Sequence, residues 1–144
     1  MSTGGATRAA AVSRLVSIAA AGLLAAGCTS IRTTDASLQG SQWQVIAIDG
    51  HATPRTEVYR MHFRDGQADG RFGCNQFGGR YSITSGEMVV TDTASTLMGC
   101  PEPAASFERE GLAVLQQPMR LNWTSDRQLM LSNAAGSIAL ERLP

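Results

Sequence analysis

Lysine is missing from this 144-residue chain, and the formal positive charge is carried by 12 arginines set against 12 acidic residues. Without lysine there is no Schiff-base or lysine-base chemistry, and without an excess of positive charge nucleic acid is a poor partner. Long hydrophobic runs are scarce too. The apolar stretch Leu15 to Ala26 is 12 residues, whereas a bilayer-spanning helix needs about 20. Internal repeats and low-complexity tracts are lacking, and the composition is that of one ordinary globular domain. Closely paired Cys or His spacings are also lacking. Gly73, Gly78 and Gly79 are followed by no lysine, which excludes a phosphate loop.

What is present begins with an export pattern. Residues 1–27 carry Arg8 and Arg14, then the apolar stretch, with no acidic residue before Asp35; this is the layout of a secretory signal. Removing it leaves 10 basic side chains against 12 acidic ones. Leu24-Ala25-Ala26-Gly27-Cys28 resembles the lipobox of bacterial lipoproteins, in which small residues admit the peptidase and the cysteine receives diacylglycerol. That resemblance implies lipidation at Cys28, and each buried acyl methylene contributes about 0.8 kcal/mol to anchoring. The alternative is a plain signal peptide with an incidental Cys28. By resemblance to enterobacterial lipoprotein sorting, Thr29 in place of an aspartate implies the outer membrane, facing the periplasm. Residues 28–37 are polar and read as a flexible tether, and the folded domain is expected over 38–144.

From Leu38 onward, strands dominate the pattern. Gln42 to Ile48 is apolar on both faces, and Val58 to Phe63 alternates Tyr59, Met61 and Phe63 against Arg60 and His62. Asp49-Gly50, Asp65-Gly66 and Ser85-Gly86 mark tight turns, and the runs Gln67 to Gly73, Arg80 to Thr84 and Glu87 to Thr91 extend an antiparallel meander. Asp92 to Gly99 reads as an extended crossing segment. After Pro101-Glu102-Pro103, the residues Phe107, Gly111, Val114 and Leu115 fall on one helical face. Gly111 costs that helix about 1 kcal/mol relative to alanine, which predicts close approach of helix to sheet. Met119 to Thr124, Gln128 to Leu131 and Ser137 to Leu143 read as the final strands.

Three motifs stand in order: Leu38-Gln39-Gly40-Ser41-Gln42-Trp43; Gly73-Cys74-Asn75 with Gly78-Gly79-Arg80-Tyr81; and Ser95-Thr96-Leu97-Met98-Gly99-Cys100. Together they resemble the META domain family, to which the bacterial heat-shock protein HslJ belongs. The motif positions are Leu38, Gly40, Trp43, Gly73, Cys74, Asn75, Gly79, Tyr81, Thr96 and Cys100. Glu108 matches a glutamate that family members carry early in the helix. Three places on, where a large apolar residue is frequent, this chain has Gly111. The resemblance implies an α+β, mainly β fold: a small antiparallel β barrel or strongly curved sheet with one packed α-helix. It also implies envelope or stress-related roles, and brings no catalytic residues.

In an exported chain whose third thiol is Cys28, Cys74 and Cys100 are expected to form a disulfide; the alternative is two buried free thiols. A zinc site from His51, His62, Cys74 and Cys100 has suitable ligand types without the paired spacing. A thiol hydrolase built on Cys74, His62 and Asp65 or Asp92 needs a free thiolate, which a disulfide removes. Ser41 and Ser95 lack a nucleophile-elbow context. Gly73, Gly78 and Gly79 are expected to allow positive φ or a bulge, with Asn75 bonding to neighbouring backbone in the same turn. Trp43, Phe72, Phe77, Tyr81 and Trp123 read as core, with the lining of a ligand cavity as the alternative. The expected function is therefore a non-enzymatic, lipid-anchored, monomeric envelope module. It would need no metal or cofactor and would bind another envelope protein or support envelope stress tolerance. A carrier of small hydrophobic ligands or a hydrolase inhibitor is the second reading.

Overall fold

Residues 35–144 are described by the computed structural model of this protein; the expected signal segment, Cys28 and the beginning of the tether lie outside them. A single helical turn, α1 (Asp35–Leu38), precedes β1 (Ser41–Ile48), β2 (His51–Ala52), β3 (Tyr59–Arg64), β4 (Gln67–Phe72), β5 (Gln76–Thr84) and β6 (Glu87–Ser95). Helix α2 (Ala104–Leu115) then leads into β7 (Met119–Ser125), β8 (Gln128–Asn133) and β9 (Gly136–Arg142). Eight of the strands run in the order β1-β3-β4-β5-β6-β7-β8-β9, and β9 pairs back onto β1, closing an antiparallel barrel. The two-residue β2 extends one edge of β1.

Local sequence explains the meander. Asp49-Gly50, Asp65-Gly66 and Ser85-Gly86 all have positive φ at both residues, the geometry of the two-residue hairpin whose twist matches that of its strands. Between these turns the alternating pattern sends one set of side chains inward. Trp43, Met61, Phe63, Phe72, Met88, Leu131 and Ile138 are completely buried, each fully buried side chain of this kind contributing about 1.5–3 kcal/mol. An eight-stranded barrel is just wide enough for its interior to be filled in this way. Trp43, Phe72, Phe77 and Tyr81 are all buried, paired as Trp43–Trp123, Phe63–Tyr81 and Phe72–Phe77 with ring centroids 4.6–5.7 Å apart. They are packing residues.

The two helices stop opposite ends of the barrel. At one end Leu38 of α1 is buried, the Gly40 N–H donates to the Phe63 carbonyl at 2.7 Å, and the Trp43 Nε1–H donates to Ser41 Oγ at 2.7 Å. The Ser41 hydroxyl in turn donates to the Leu38 carbonyl. Arg142 donates to the Ser37 carbonyl while its guanidinium sits 4.9 Å above the Trp43 ring, and Tyr81 reaches Gln39 at 3.2 Å. This is the first family motif at work: it ties the start of the domain to β3, β5 and β9.

At the other end α2 lies across β9, β4 and β1, burying Phe107, Gly111, Val114 and Leu115, with Phe107 edge-on to Tyr59 at 5.6 Å. The helix begins at Ala104, just past the prolines, and the Glu102 carboxylate accepts the Ser106 N–H at 3.2 Å and its hydroxyl at 2.7 Å. Gly111 faces Phe72 so closely that a Cβ there would stand 2.3 Å from the ring. The close approach predicted from its place in the helical stripe is what the structure contains.

Of the two possibilities expected for the glycine cluster, positive φ or a bulge, the structure contains the bulge. None of Gly73, Gly78 and Gly79 has positive φ. The left-handed residue is Asp92 (φ 53), on the strand opposite a register shift between Gly78 and Arg80, where two residues of β6 face one of β5. The extra residue of the bulge is thus carried by β6. Gly79 is needed for proximity: a Cβ would lie 2.8 Å from both the Thr91 carbonyl oxygen and a Val90 methyl.

Candidate functional site

Beyond the α2 end of the barrel, the segment after β4 and the loop from β6 to α2 are fastened together. Cys74 and Cys100 are joined in a disulfide, with Cα atoms 6.0 Å apart. Beside them Asn75, only 4% exposed, spends its whole side-chain hydrogen-bonding capacity. Its Oδ1 accepts from the Met98 N–H at 2.7 Å and from the Thr96 hydroxyl at 2.9 Å. Its Nδ2 donates to the Met98 carbonyl at 2.9 Å and to Glu108 Oε1 at 2.7 Å.

The other carboxylate oxygen of Glu108 accepts the Asn75 backbone N–H at 3.1 Å. Thr96 completes the clamp: its Oγ1 accepts the Gln76 N–H and its own N–H donates to the Gln76 carbonyl, both at 3.0 Å. Contrary to expectation, the Asn75 side chain does not close its own turn. It holds both the N–H and the C=O of Met98, 23 residues further on, and ties that loop to α2 through Glu108.

The result is an apolar tip on a tethered backbone. Leu97 is 94% exposed and Met98 58% exposed, the two large exposed hydrophobics among the described residues. Exposed apolar side chains are ordinary when isolated, but these two are adjacent, on a loop held by a disulfide and by a buried asparagine.

The alternative chemistries are not assembled. Among the described residues, Cys74, Cys100 and Glu108 are the grouping in which three metal-ligating side chains lie within 4.8 Å of one another. The two sulfurs are bonded to each other, so neither offers a thiolate. The histidines of the weighed zinc site lie elsewhere, His51 exposed on β2 and His62 on β3, where its Nδ1 is 3.3 Å from Asp69. Asp65 sits in a hairpin turn and Asp92 in the β6 irregularity, while Ser41 is a structural bridge and Ser95 ends β6.

A second polar feature was not anticipated from the sequence. It is a groove of about 680 Å³ on the outer wall, lined by Gln42 of β1, by Glu57 just before β3 and by side chains of β3, β4 and β5 including Arg60, His62, Arg64, Asp69 and Arg71. The signal that could have revealed it was the polar alternation Arg60, His62, Arg64 in β3 and Gln67, Asp69, Arg71 in β4, which becomes informative once strand register is known.

Comparisons with known proteins agree with this architecture. Two solved structures share the fold. One, described as an NMR structure of the protein, aligns with a TM-score of 0.65 at 21% identity over 76% of this chain and 94% of its own. The other, an NMR structure of a protein from Burkholderia xenovorans, aligns with a TM-score of 0.57 at 19% identity over 76% of this chain and 86% of its own. Among functionally curated proteins, none matches this chain. The family model for the META domain matches residues 36–142, from α1 through the last residue of β9, so this chain belongs to the META domain family.

Proposed function

We propose that this protein is a lipid-anchored, non-enzymatic module of the bacterial cell envelope that binds another protein through the Leu97–Met98 tip. The observation that carries the reading is the combination of apolar exposure and backbone restraint: Leu97 is 94% exposed while its neighbour Met98 is held at both backbone polar groups by Asn75. Ordering a loop before binding removes an entropic cost that a partner would otherwise have to offset, so a restrained apolar tip suits insertion into a partner's apolar pocket.

Position supports the same reading. The chain enters the domain at the α1 end, and the tip lies at the α2 end, so chain entry and tip stand at opposite ends of the barrel. A protruding, ordered loop also favours a hydrolase inhibitor over a carrier, because the barrel interior is occupied by side chains.

The test is a photo-crosslinking residue at position 97 of the full chain in cells, with position 125 at the other end of the barrel as control. One discrete protein adduct should form from position 97 only, and Met98→Ser should abolish it. Equal labelling from both positions would sink the proposal. Cys28→Ser should move the protein from the membrane fraction to the soluble fraction, and continued membrane retention would remove the anchor from it. A turnover by the purified protein, abolished by one polar substitution, would remove the non-enzymatic part.

A further inference from the structure

We infer that the outer wall of β3, β4 and β5 is a binding site for a phosphate monoester carried on a small polar body. It lies on a different surface from the Leu97–Met98 tip and stands whether or not Cys28 carries lipid. The strand register sets the outward side chains in rows. Gln44, Arg60, Arg71 and Gln76 form one row, each directly opposite the next across β1, β3, β4 and β5. Arg64, Gln67 and Arg80 form another across β3 to β5. The row between them runs Gln42, His62, Asp69 and Gly78.

Four arginines thus flank a row whose single acid, Asp69, is already engaged by His62 at 3.3 Å and Arg64 at 3.6 Å; Arg60, Arg64 and Arg71 line the groove itself, where Glu57 is the other acid. The row ends on a glycine with no side chain to fill the space. In a chain whose formal net charge is zero, this is a local concentration of positive charge.

Arg60 directly opposite Arg71 is the informative pair, because like charges facing each other across an antiparallel ladder are destabilising. Intramolecular compensation is thin. Arg60 reaches Glu57 at 3.4 Å, but that carboxylate is 86% exposed, where an ion pair is worth little. Arg71 has no ion pair among the described residues. Among the described residues the Arg60 Nε–H is buried without an acceptor, as are Trp123 Nε1–H and Arg142 Nε–H elsewhere in the barrel, although buried donors are normally satisfied.

An oxyanion seated between the two guanidiniums supplies the missing negative charge and several acceptors at once. A phosphate matches the fork geometry of arginine and can take two such forks. The groove, about 680 Å³, falls in the range of small-molecule sites, roughly 300–1,000 Å³, and leaves room beyond the phosphate. Gln42, Gln67 and Gln76 line that remaining space and can exchange hydrogen bonds with hydroxyl groups. A phosphorylated sugar, free or as part of a lipid headgroup, has this chemistry.

The test follows the arginine side-chain Nε–H signals of the full-length protein by NMR. Glucose 6-phosphate should shift the Arg60 and Arg71 signals saturably, with glucose inert and with weakening as salt rises. Arg71→Gln should weaken binding at least tenfold, while Arg120→Gln, on β7, should leave it unchanged. In phosphate-free buffer Arg71→Gln should also raise Tm by a few degrees by relieving the facing charges, whereas loss of a merely structural arginine would lower it. Vesicles of phosphatidic acid, compared with phosphatidylcholine, separate the sources: a response to both phosphate probes means a site for free and lipid-borne phosphate, and a response to phosphatidic acid alone means a headgroup site. No response of Arg60 and Arg71 to either probe, or a response undiminished in Arg71→Gln, overturns the inference.

Discussion

Replacing Asn75 with alanine should be among the most damaging single substitutions that leave the hydrophobic core untouched. The side chain makes four hydrogen bonds of 2.7–2.9 Å, one of them to the Glu108 carboxylate. A neutral bond contributes about 0.5–1.5 kcal/mol net, and one to a charged group about 1.5–3 kcal/mol. Water can reach the Met98 backbone in the variant and will recover part of this, so the expected loss is about 3 kcal/mol. At roughly 4 °C per kcal/mol for a domain of this size, Tm should fall by about 12 °C. Urea unfolding of the oxidised protein, followed by tryptophan fluorescence, reads the same loss as a shift in midpoint at unchanged slope. A cycle with Glu108→Ala should return a coupling of about 1–2 kcal/mol, because the two residues are in direct contact. If Asn75→Ala lowers Tm by less than about 3 °C with the disulfide intact, the clamp is not a major restraint and the argument for a preordered tip collapses.

Three further outcomes follow from other parts of the molecule. Gly111→Ala gains about 1 kcal/mol of helix propensity but sets a methyl 2.3 Å from the Phe72 ring, an overpacking that typically costs about 1–3 kcal/mol. The variant should be neutral to less stable in denaturant, and a more stable variant would mean that α2 does not lie so close to β4. Removing the bridge as Cys74→Ala/Cys100→Ala releases a loop with a sequence separation of 26, for which the chain-entropy model gives about 3.5 kcal/mol; equal unfolding midpoints for variant and parent would refute it. At Glu141 the hydrogen bond from Arg55, then the charge of Arg55, hold the carboxyl below the usual glutamate range. A carboxyl depressed in the folded state stabilises above its unfolded pKa, and that contribution fades as pH falls through the lower folded value. An NMR titration should therefore find Glu141 low in the parent and higher in Arg55→Ala, where only the charge of Arg127 still lowers it; an unchanged value would show that the pair does not form in solution.

How much of this was legible beforehand depends on the range of the interactions. The hairpins were readable because Asp49-Gly50, Asp65-Gly66 and Ser85-Gly86 encode their own geometry within two residues. Gly111 was readable because a glycine inside an apolar helical stripe weakens the helix and so signals a neighbour too close for a side chain. The start of β5 was not. Gln76 to Gly79 is glycine-rich and lacks strand propensity, and it is strand because β4 pairs along it from Gln67 to Arg71. The partners of Asn75 lie 21 to 33 residues away, beyond any local signal, so a residue fastening a distant loop looked like one closing its own turn. The facing arginines were likewise hidden: Arg60 and Arg71 become neighbours only through a register that no short stretch of sequence specifies.

The barrel wall is not equally knitted all the way round. β5 and β6 pair along seven residue positions, whereas β6 and β7 share only Glu87–Arg120 and Met88–Met119, because the chain leaves the sheet there to build α2. From Val89 onward β6 has no partner in the ladder on that side, and an open edge of this kind invites a strand from another molecule. Its sequence discourages one. Thr91, Asp92 and Thr93 are exposed, and the left-handed turn of the backbone at Asp92 breaks the straight run of donors and acceptors that an incoming strand would need. The same irregularity that curls β6 around Gly79 thus guards the gap against aggregation, and lets the domain keep a partly unzipped wall beside its exposed tip.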